Sequence, residues 1–509
     1  MKHSPIVLTT LNARYIHSAF GLRYLKANLG DLSDQCEIVE YTIDSRPEDI
    51  AEQLLARQPK YIGFGVYIWN AVQTEKLVAL IKAIAPEVVV ILGGPEVSYE
   101  QAEQAIVELA DHVISGWGDI SFRDLIEQLE AGQSQPKLIV GQQAKLDQIQ
   151  MPYQLYTDED VGNRVLYVEA SRGCPFKCEF CLSALDKTAW PFDLEQFLEQ
   201  MDVLYQRGAR HFKFVDRTFN LKIKNSLRIM EFFLERLSDD LFLHFEVVPD
   251  HLPEALKDMI QRFPKGVLQF EIGIQTFNPQ VQSAISRRQD NEKAKLNLAW
   301  IKEQSNAYIH ADLIFGLPGE SLKSFADSFN TLVALRPHEV QVGILKRLRG
   351  SPIIRHTENF NLVFNPNPPY SIVSSSEVTF ADVQAINRFA RYWDMIANSG
   401  RFEHVLPLLL GHYLESENLY RRFSLVSEAL FERTQQTHKI ALIRLFDLLY
   451  EILVDDLNEE TQEVLNAIEA DYQRSGLKSV PQVLGAKRYK HRQTPSTKQA
   501  YKSRQSRRL

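Results

Sequence analysis

Apolar and polar positions form alternating blocks along the first 140 residues. Short β-like runs are separated by segments whose apolar residues recur with the helical period. The β-like runs are PIVLTTL, CEIVEYTI, YIGFGVYIW, VVVILGGP and HVISG. Continuous Val/Ile-rich runs with amphipathic helices between them are typical of a parallel sheet covered on both faces. The pattern predicts a doubly wound α/β domain with five strands over residues 1–140.

A second alternating region follows a polar linker, which we place at residues 141–164. It runs over residues 165–350, and its β-like runs are VLYVEAS, HFKFVDRT, LFLHFEVVP, VLQFEIGIQ, AYIHADLIFG and EVQVGILKR. Each of the first five runs is followed by a helical segment. Eight such units would close a barrel, so six units predict a partial, open (β/α)6 barrel with its chemistry at the carboxyl ends of the strands.

The last part of the chain changes to the helical period alone. We predict an all-α domain over residues 351–485 and a basic tail over residues 486–509. Residues 487–509 carry nine Lys and Arg and no acidic residue, and without them the chain has 48 basic against 65 acidic residues. A disordered, solubilising segment is the simpler interpretation of the tail. Contact with a nucleic acid is the alternative, because mobile cations gain from counterion release.

Length and composition describe an ordinary multidomain protein. The 509 residues exceed what one hydrophobic core usually organises. No apolar run approaches the length that spans a bilayer, and the amino terminus lacks the pattern of a secretory signal. We therefore expect a cytoplasmic protein without a membrane partner. In that reducing environment, clustered cysteines are metal ligands or catalytic thiols more often than disulfides.

Three of the four cysteines, Cys174, Cys178 and Cys181, lie in the stretch SRGCPFKCEFCLS, directly after the first strand of the second region. Structural zinc sites use four ligands, commonly two C-x-x-C pairs, but the fourth cysteine, Cys36, belongs to another domain. A [4Fe–4S] cluster held by three cysteines leaves one iron open to a substrate. The incomplete set indicates a catalytic centre. A zinc knuckle completed by a histidine, or unrelated buried thiols, is the alternative.

The stretch CPFKCEFC resembles the signature of the radical S-adenosylmethionine (SAM) superfamily, with Phe180 at the aromatic position before the last cysteine. Similar motifs continue over about residues 165–350, namely FVDRTFN, HFEVVPD, EIGIQTFNPQVQSAISR and DLIFGLPGE. One departure is visible, since Val215-Asp216-Arg217 replaces the GGE that many members carry after the second strand. That exchange is common in members with an amino-terminal cobalamin domain.

The resemblance implies the cofactors, the partner and the site residues of the barrel. It implies that Cys174, Cys178 and Cys181 hold a [4Fe–4S] cluster, at which SAM is cleaved reductively to a 5′-deoxyadenosyl radical. An electron donor such as a flavodoxin or ferredoxin is the implied partner. The implied SAM contacts are Phe180, Asp216, Glu246, Gln275, Arg287 and Gly316.

The amino-terminal domain, with its loops GGPEVS and SGWGD, resembles the Rossmann-like cobalamin-binding domain of cobalamin-dependent radical SAM enzymes. No G-x-G-x-x-G opens its first helix, which disfavours a dinucleotide. No D-x-H-x-x-G motif is present to supply a lower histidine ligand to cobalt. His17 is a candidate substitute, and a structural role is its alternative. The implied cobalamin contacts are Tyr15, His17, Tyr67, Trp69, Asn70, Gly93, Gly94, Pro95, Ser98, Gly116 and Gly118.

Two classes of function follow. The first is a cobalamin-dependent radical SAM enzyme that transfers a methyl group from methylcobalamin to an unidentified substrate. Its variant is a cyclisation or rearrangement of the kind found in tetrapyrrole synthesis, without methyl transfer. The second is a non-catalytic module in which a metal stabilises an RNA- or protein-binding surface. The helical region resembles an uncharacterised accessory domain and identifies no substrate.

Overall fold

The computed structural model describes residues 3–485, and the predicted basic tail lies outside them. Among the described residues, no helix is long and apolar enough to cross a membrane. The described chain forms two compact units. The first unit takes residues 3–246, 346–355 and 364–371. The second takes residues 247–345, 356–363 and 372–485.

A parallel sheet of six strands organises the start of the first unit, in the order β2-β1-β3-β4-β5-β6. The strands are β1 (Ile6–Asn12), β2 (Cys36–Thr42), β3 (Tyr61–Gly65), β4 (Val89–Gly93), β5 (His112–Ser115) and β6 (Leu138–Val140). The helices are α1 (Phe20–Ala27), α2 (Pro47–Leu55), α3 (Ala71–Ile84), α4 (Ala105–Leu109) and α5 (Ser121–Glu130). The predicted doubly wound class is confirmed.

The prediction of five strands is wrong by one. The sixth strand, β6, has three residues, and Val140 is 87% exposed. Such a short, exposed edge strand carries too little apolar signal to be recognised in the sequence.

Both faces of the sheet are covered, as the continuous apolar runs predict. Val7 and Ile62 belong to the core on one face. Leu8 and Ile91 belong to the core on the other face. Strand β2 lies on one side of β1 and every later strand lies on the other side. Ligands of such sheets bind beyond the carboxyl ends of the strands at this switch point.

The first unit also contains the first part of the predicted barrel. Its helices are α6 (Asp158–Asn163), α7 (Leu194–Gln206) and α8 (Ile223–Leu234). Its strands are β7 (Leu166–Val168), β8 (Ser171–Arg172), β9 (Trp190–Pro191), β10 (His211–Phe214) and β11 (Phe242–Val247). Strand β10 pairs in parallel with β7 and with β11, and β8 and β9 form a small antiparallel ribbon.

The second unit contains the three remaining strands of the barrel region, which pair in parallel. These are β12 (Leu268–Gln275), β13 (Tyr308–Phe315) and β14 (Glu339–Ile344). The accompanying helices are α9 (Glu254–Gln261), α10 (Pro279–Ala284), α11 (Asn291–Gln304) and α12 (Leu322–Ala334). Each of the six predicted strand segments contains a strand.

Helices dominate the rest of the chain, as predicted. After the short strands β15 (Val363–Phe364) and β16 (Ile372–Ser374) come α13 (Phe380–Ile396), α14 (Val405–Leu409), α15 (Leu419–Thr434), α16 (Leu442–Glu451) and α17 (Thr461–Ser475). A π-helical turn, Ile452–Asp456, follows α16. The ring of Phe329 on α12 lies 4.8 Å from that of Trp393 and 5.0 Å from that of Phe389, both on α13. The helical region and the last helix of the barrel therefore share one core within the second unit.

A buried ion network joins α1, β2 and α6 in the first unit. The guanidinium of Arg23 contacts Glu40 at 2.8 Å and Asp160 at 2.7 Å. Arg164 contacts Glu40 at 3.2 Å and Asp160 at 3.4 Å. Burial alone would raise the pKa of Asp160, but the Arg23 charge and the backbone of Thr157 outweigh it and lower that pKa. Two cations therefore compensate two buried carboxylates.

Replacing Arg23 by methionine should destabilise the first unit. Glu40 and Asp160 would keep only Arg164 as a cationic partner, and breaking a buried pair costs about 3–5 kcal/mol. We expect a clear fall in the urea midpoint followed by circular dichroism. Arg46→Met is the control, because that side chain is 72% exposed and pairs loosely with Glu48. Equal midpoints for the two variants would contradict the role given to the network.

Candidate cofactor sites

The three clustered cysteines lie on one loop that follows β7 and β8. Cys174 is buried, and Cys178 and Cys181 are partly buried. The amide of Cys174 donates to the carbonyl of Asp186 at 2.8 Å, and that of Cys181 donates to the carbonyl of Cys178 at 3.1 Å. Burial raises the pKa of the Cys174 thiol, and the other two thiols act in the same direction.

The donor set of this loop fits a [4Fe–4S] cluster. All four cysteines of the chain are among the described residues, and none forms a disulfide. Three thiols on one loop suit a cluster, in which each thiolate binds a separate iron.

Arg172 and Gly173 form the base of the cysteine loop. Gly173 has φ of +93°, and a Cβ there would lie 2.3 Å from Oγ1 of Thr188, so only glycine fits. The Arg172 guanidinium contacts Asp119 at 2.9 Å and Glu169 at 2.7 Å. These contacts fix the direction in which the chain enters the loop.

Aromatic rings and a second hydrogen bond complete this junction. The Arg172 guanidinium lies 4.7 Å from the ring centres of both Tyr24 and Trp117. The indole N–H of Trp117 donates to Asp186 Oδ2 at 2.9 Å. Asp186 also accepts from the amide of Cys174. The SGWGD loop after β5 is therefore tied to the cysteine loop.

A cavity of about 280 Å³ opens at the carboxyl ends of β3, β4 and β5. Arg172, Tyr24 and Tyr67 are among its lining side chains. A Cβ at Gly94 would lie 2.5 Å from the carbonyl oxygen of Val66. The loop after β4 therefore needs glycine at this position to pass close to the backbone of Val66. The lining glycines of the cavity are Gly21, Gly63, Gly65, Gly93, Gly94, Gly116 and Gly118.

This cavity fits part of a cobalamin. Its walls are mostly apolar side chains and glycine backbone, and it lies at the switch point where doubly wound domains bind their ligands. Of the predicted cobalamin contacts, Tyr67, Gly93, Gly94, Gly116 and Gly118 line it. The assignment of these residues to cobalamin remains a prediction.

A second cavity, of about 460 Å³, is lined by His17, Tyr67, Trp69 and Tyr167, among others. Nδ1 of His17 lies 2.7 Å from the hydroxyl of Tyr167 on β7. The rings of Tyr67 and Trp69 are stacked with their centres 4.5 Å apart. The contact with Tyr167 favours the structural interpretation of His17, although its ring still borders the cavity.

Two predicted cobalamin contacts, Asn70 and Tyr15, form hydrogen bonds with other parts of the protein. Asn70 is fully buried, and its amide nitrogen donates to the carbonyls of Leu11 at 3.1 Å and Gly65 at 3.2 Å. Tyr15 donates a hydrogen bond to Glu159 and is not among the lining residues of either cavity. Asn70 thus holds the loop after β3, and Tyr15 faces α6.

The remaining two predicted contacts belong to the GGPEVS loop. Pro95 is exposed. The hydroxyl of Ser98 donates to the carbonyl of Gly94 at 2.8 Å and accepts from the amide of Gly116 at 3.3 Å. Ser98 therefore joins the loops that follow β4 and β5.

Three predicted SAM contacts belong to the first unit. Phe180 is partly buried next to Cys181. Asp216 is buried and accepts from the amide of Ala170 at 3.0 Å and the hydroxyl of Ser171 at 2.6 Å. Burial raises the pKa of Asp216 to about 7, against the effect of these hydrogen bonds. Asp216 thus ties the end of β10 to the start of the cysteine loop. The third contact, Glu246, pairs with Arg217 at 2.8 Å.

The other three predicted SAM contacts belong to the second unit. Gln275 has φ of +66°, and its buried Oε1 has no hydrogen-bond partner among the described residues. Arg287 donates to the carbonyl of Gly273, beside Gln275. Gly316 has φ of +87°, and a Cβ there would lie 2.8 Å from Ile372. An unpaired buried amide oxygen at a strand end fits a ligand that donates hydrogen bonds, as the SAM amino group does.

Sequence reasoning missed several lining residues of the smaller cavity. Gly63 and Gly65 alternate inside a strand, which is a recognisable sign of close approach. Tyr24 and Arg172 carried no comparable signal, because only tertiary packing brings them to the cavity, whereas Trp117 lies within the predicted SGWGD loop although it was not itself predicted as a contact.

Three family models match consecutive parts of the chain. They are the B12 binding domain over residues 6–126, the Radical SAM superfamily over residues 168–332 and a protein of unknown function (DUF4080) over residues 358–508. The chain is a radical SAM protein with an amino-terminal B12-binding domain. The matches confirm the predicted resemblance and the predicted cofactors, a [4Fe–4S] cluster, SAM and cobalamin.

Curated relatives of this radical SAM protein include methyltransferases. An uncharacterised methyltransferase of Pyrococcus horikoshii is 28% identical over 233 residues, which are 41% of this chain and 50% of the relative. TokK of Streptomyces tokunonensis, a cobalamin-dependent radical SAM methyltransferase, is 24% identical over 332 residues, or 57% of this chain and 47% of TokK. The chain thus spans about half the length of these relatives.

Solved structures share the fold of this radical SAM protein. The cobalamin-dependent radical enzyme OxsB, with aqua-cobalamin and SAM bound, gives a TM-score of 0.61 at 15% identity, covering 94% of this chain and 85% of OxsB. The methyltransferase TsrM of Kitasatospora setae gives 0.57 at 16% identity, covering 72% and 80%.

Gly94→Ala should weaken cobalamin binding. The new Cβ would meet the backbone of Val66 at a φ of +107°, so the loop must shift to relieve it, and a cost of about 1–2 kcal/mol predicts a loss of roughly 5- to 30-fold in affinity. Titration with hydroxocobalamin, followed by absorption, measures it. Gly132→Ala is the matched control, since Gly132 has φ of +73° but its Cβ meets no described atom within 4 Å. Equal affinities for both variants would contradict the assignment of the cavity.

The burial of Glu320 should make the stability of the folded protein depend on pH. This residue ends the DLIFGLPGE motif and is fully buried, and burial raises its pKa to about 8. Between the ordinary glutamate value, about 4.3, and 8, the folded chain holds a proton that the unfolded chain has lost. Stability therefore falls as pH rises through this window.

Glu320→Gln should remove this dependence. We expect the variant to melt at a higher temperature than the wild type at pH 8, with the difference shrinking towards pH 5. Asp327→Asn, on the exposed side of α12, is the control. A difference that is the same at both pH values would refute this role of Glu320.

Proposed function

We propose that the chain is a cobalamin-dependent radical SAM methyltransferase. The observation that carries the proposal is the junction at Arg172, which lines the glycine-rich cavity and lies two residues before Cys174. A cobalamin in the cavity would therefore lie beside the cluster loop within one compact unit. Methyl transfer to a substrate radical requires this proximity of two cofactor sites.

The proposal assigns each cofactor to residues of the chain. Cys174, Cys178 and Cys181 would hold the cluster through thiolate bonds. The glycine-lined cavity would hold part of the cobalamin. When bound, the reduced cluster and SAM supply a radical that removes a hydrogen atom from the substrate, and cobalamin supplies the methyl group. In this scheme residues 1–140 bind cobalamin, residues 165–350 bind the cluster and SAM, and residues 351–485 form the helical domain.

Polar side chains of the barrel would orient SAM. The amide oxygen of Gln275, which has no partner among the described residues, would accept a hydrogen bond from the SAM amino group. Arg287 holds the backbone next to Gln275 and so keeps that amide in place. Glu246, already paired with Arg217, would offer a fixed carboxylate. We assign these residues to binding and orientation. A cytoplasmic location and a flavodoxin or ferredoxin as electron donor belong to the same proposal.

Cys178→Ala should abolish cofactor assembly and SAM cleavage. We expect anaerobically purified wild-type protein, produced with cobalamin, to hold about four irons per chain and one cobalt. The variant should lose the iron and form no 5′-deoxyadenosine from SAM. Cys36→Ala is the matched control, because Cys36 is a buried core residue of β2 whose thiol pKa is raised to about 12 by burial. Iron and SAM cleavage retained in Cys178→Ala would overturn the cluster assignment.

Labelled SAM distinguishes the reactions. Label passing from the SAM methyl group into a product supports methyl transfer. Deoxyadenosine formation with an unlabelled product indicates cyclisation or rearrangement. Zinc in place of iron, with RNA binding that is lost on removal of residues 487–509, would support the non-catalytic alternative.

A further inference from the structure

A ten-residue segment, residues 346–355, contacts two loops. One is the loop after β4, residues 94–100, which we call the cobalamin loop, and the other is the cysteine loop, which we call the cluster loop. The segment belongs to the first unit and follows β14 in the chain. It lies between the radical SAM match, which ends at residue 332, and the DUF4080 match, which begins at residue 358. None of the three family matches therefore covers this segment, which we name the bridging segment.

Its first half binds the loop that follows β4. Arg347 forms a bidentate contact with the carboxylate of Glu100, with Nη1 at 2.8 Å from Oε1 and Nη2 at 3.0 Å from Oε2. Arg349 contacts Glu96 at 3.1 Å and Glu100 at 3.2 Å. Glu96 also accepts from the hydroxyl of Tyr370 at 2.6 Å. Two cations thus neutralise two carboxylates, and the paired geometry is the strong form of such contacts.

Close packing at Gly350 adds to the contact that these ion pairs make. Its amide donates to Glu100 Oε1 at 3.2 Å. Gly350 has φ of +78°, and a Cβ there would lie 2.2 Å from Cγ of Tyr99. The backbone of the segment therefore lies directly on the tyrosine ring. Glu96, Tyr99 and Glu100 come within seven residues of Gly93 and Gly94, which line the cobalamin cavity.

Its second half binds the cluster loop. The amide of Ile353 donates to the carbonyl of Glu179 at 2.9 Å. The guanidinium of Arg355 contacts the carboxylate of Glu179, whose side chain is 3% exposed. Glu179 lies between Cys178 and Cys181 in the sequence. Ile353 is itself fully buried, so this end of the segment is anchored.

We propose that the bridging segment couples the two cofactor loops, so that a cluster on one loop strengthens cobalamin binding at the other. The inference rests on the proposed function, since it requires both cofactors to bind. Arg347 and Arg349 act as positioning residues for the cobalamin loop, and Arg355 for the cluster loop. An allosteric coupling of this kind changes affinity about 5- to 150-fold and acts equally in both directions.

The test measures the affinity for hydroxocobalamin with and without the cluster. We expect cluster-loaded wild-type protein to bind roughly tenfold more tightly than cluster-free protein. In Arg355→Ala the ratio of the two affinities should fall to about threefold or less, because the truncation removes the contact with the buried carboxylate of Glu179 on the cluster loop. The loss is partial because the hydrogen bond from Trp117 to Asp186 joins the cluster loop to the SGWGD loop after β5, which also lines the cavity.

Two further variants make the experiment specific. Arg228→Ala is the matched control, because Arg228 is an exposed arginine of the same unit that pairs with Glu195 at 3.3 Å. Its ratio should equal that of the wild type. Arg347→Met should weaken cobalamin binding directly, and Glu100→Gln added to it should recover part of the loss, because the carboxylate no longer needs a cation. Arg355 is 60% exposed on its side chain, so its truncation is compatible with folding.

Reciprocity gives an independent readout. Saturating cobalamin should reduce the fraction of iron that a chelator removes at equilibrium from wild-type protein, and this protection should diminish in Arg347→Met. A ratio of cobalamin affinities near one in the wild-type protein would overturn the coupling. So would an Arg355→Ala variant that keeps the ratio of the wild type. Failure of the wild-type protein to bind any cobalamin would instead overturn the proposed function, and the coupling with it.

Discussion

One largely buried cation, the guanidinium of Arg172, is the constraint on which the cluster loop and the SGWGD loop of the cavity depend. It is neutralised by Asp119, beyond the first sheet, and by Glu169, at the end of the first barrel strand. A charge removed from water costs several kcal/mol unless it is paired, so these partners must assemble together. Because Arg172 lies two residues before Cys174, positioning the cation also positions the start of the cluster loop.

Most of the fold could be predicted from the period of apolar positions. The buried strand β1 is apolar along most of its length, and the helices between strands carry clear apolar faces, so the doubly wound class and the six barrel strands follow directly. The exposed strand β6 was missed because Leu138 and Val140 face solvent and resemble a loop. The division into two compact units was also beyond reach, since the second unit begins within β11 rather than in a linker.

The candidate site divides along a similar line. Cysteine spacing and the glycines Gly93, Gly94, Gly116 and Gly118 could be recognised, because their chemistry or conformational freedom is local. The roles of Asn70 and Tyr15 could not, since an amide or phenol at a strand end serves a ligand or the backbone equally well. In the structure the side-chain amide of Asn70 donates hydrogen bonds to the carbonyls of Leu11 and Gly65. The role of Arg172 at the cavity depends on Asp119, which is distant in sequence.

The shared aromatic core of the second unit bears on how such a chain is inherited. Phe325 and Phe329 of the barrel helix α12 are covered by rings of the helical region, Phe389 and Trp393 on α13 and Tyr420 on α15. A barrel without that cover would present large apolar rings to water, which favours aggregation. Recombination therefore cannot add or remove the helical region alone without exposing these rings. Gain or loss of that region during evolution requires matching substitutions on α12, so the two parts must diversify together.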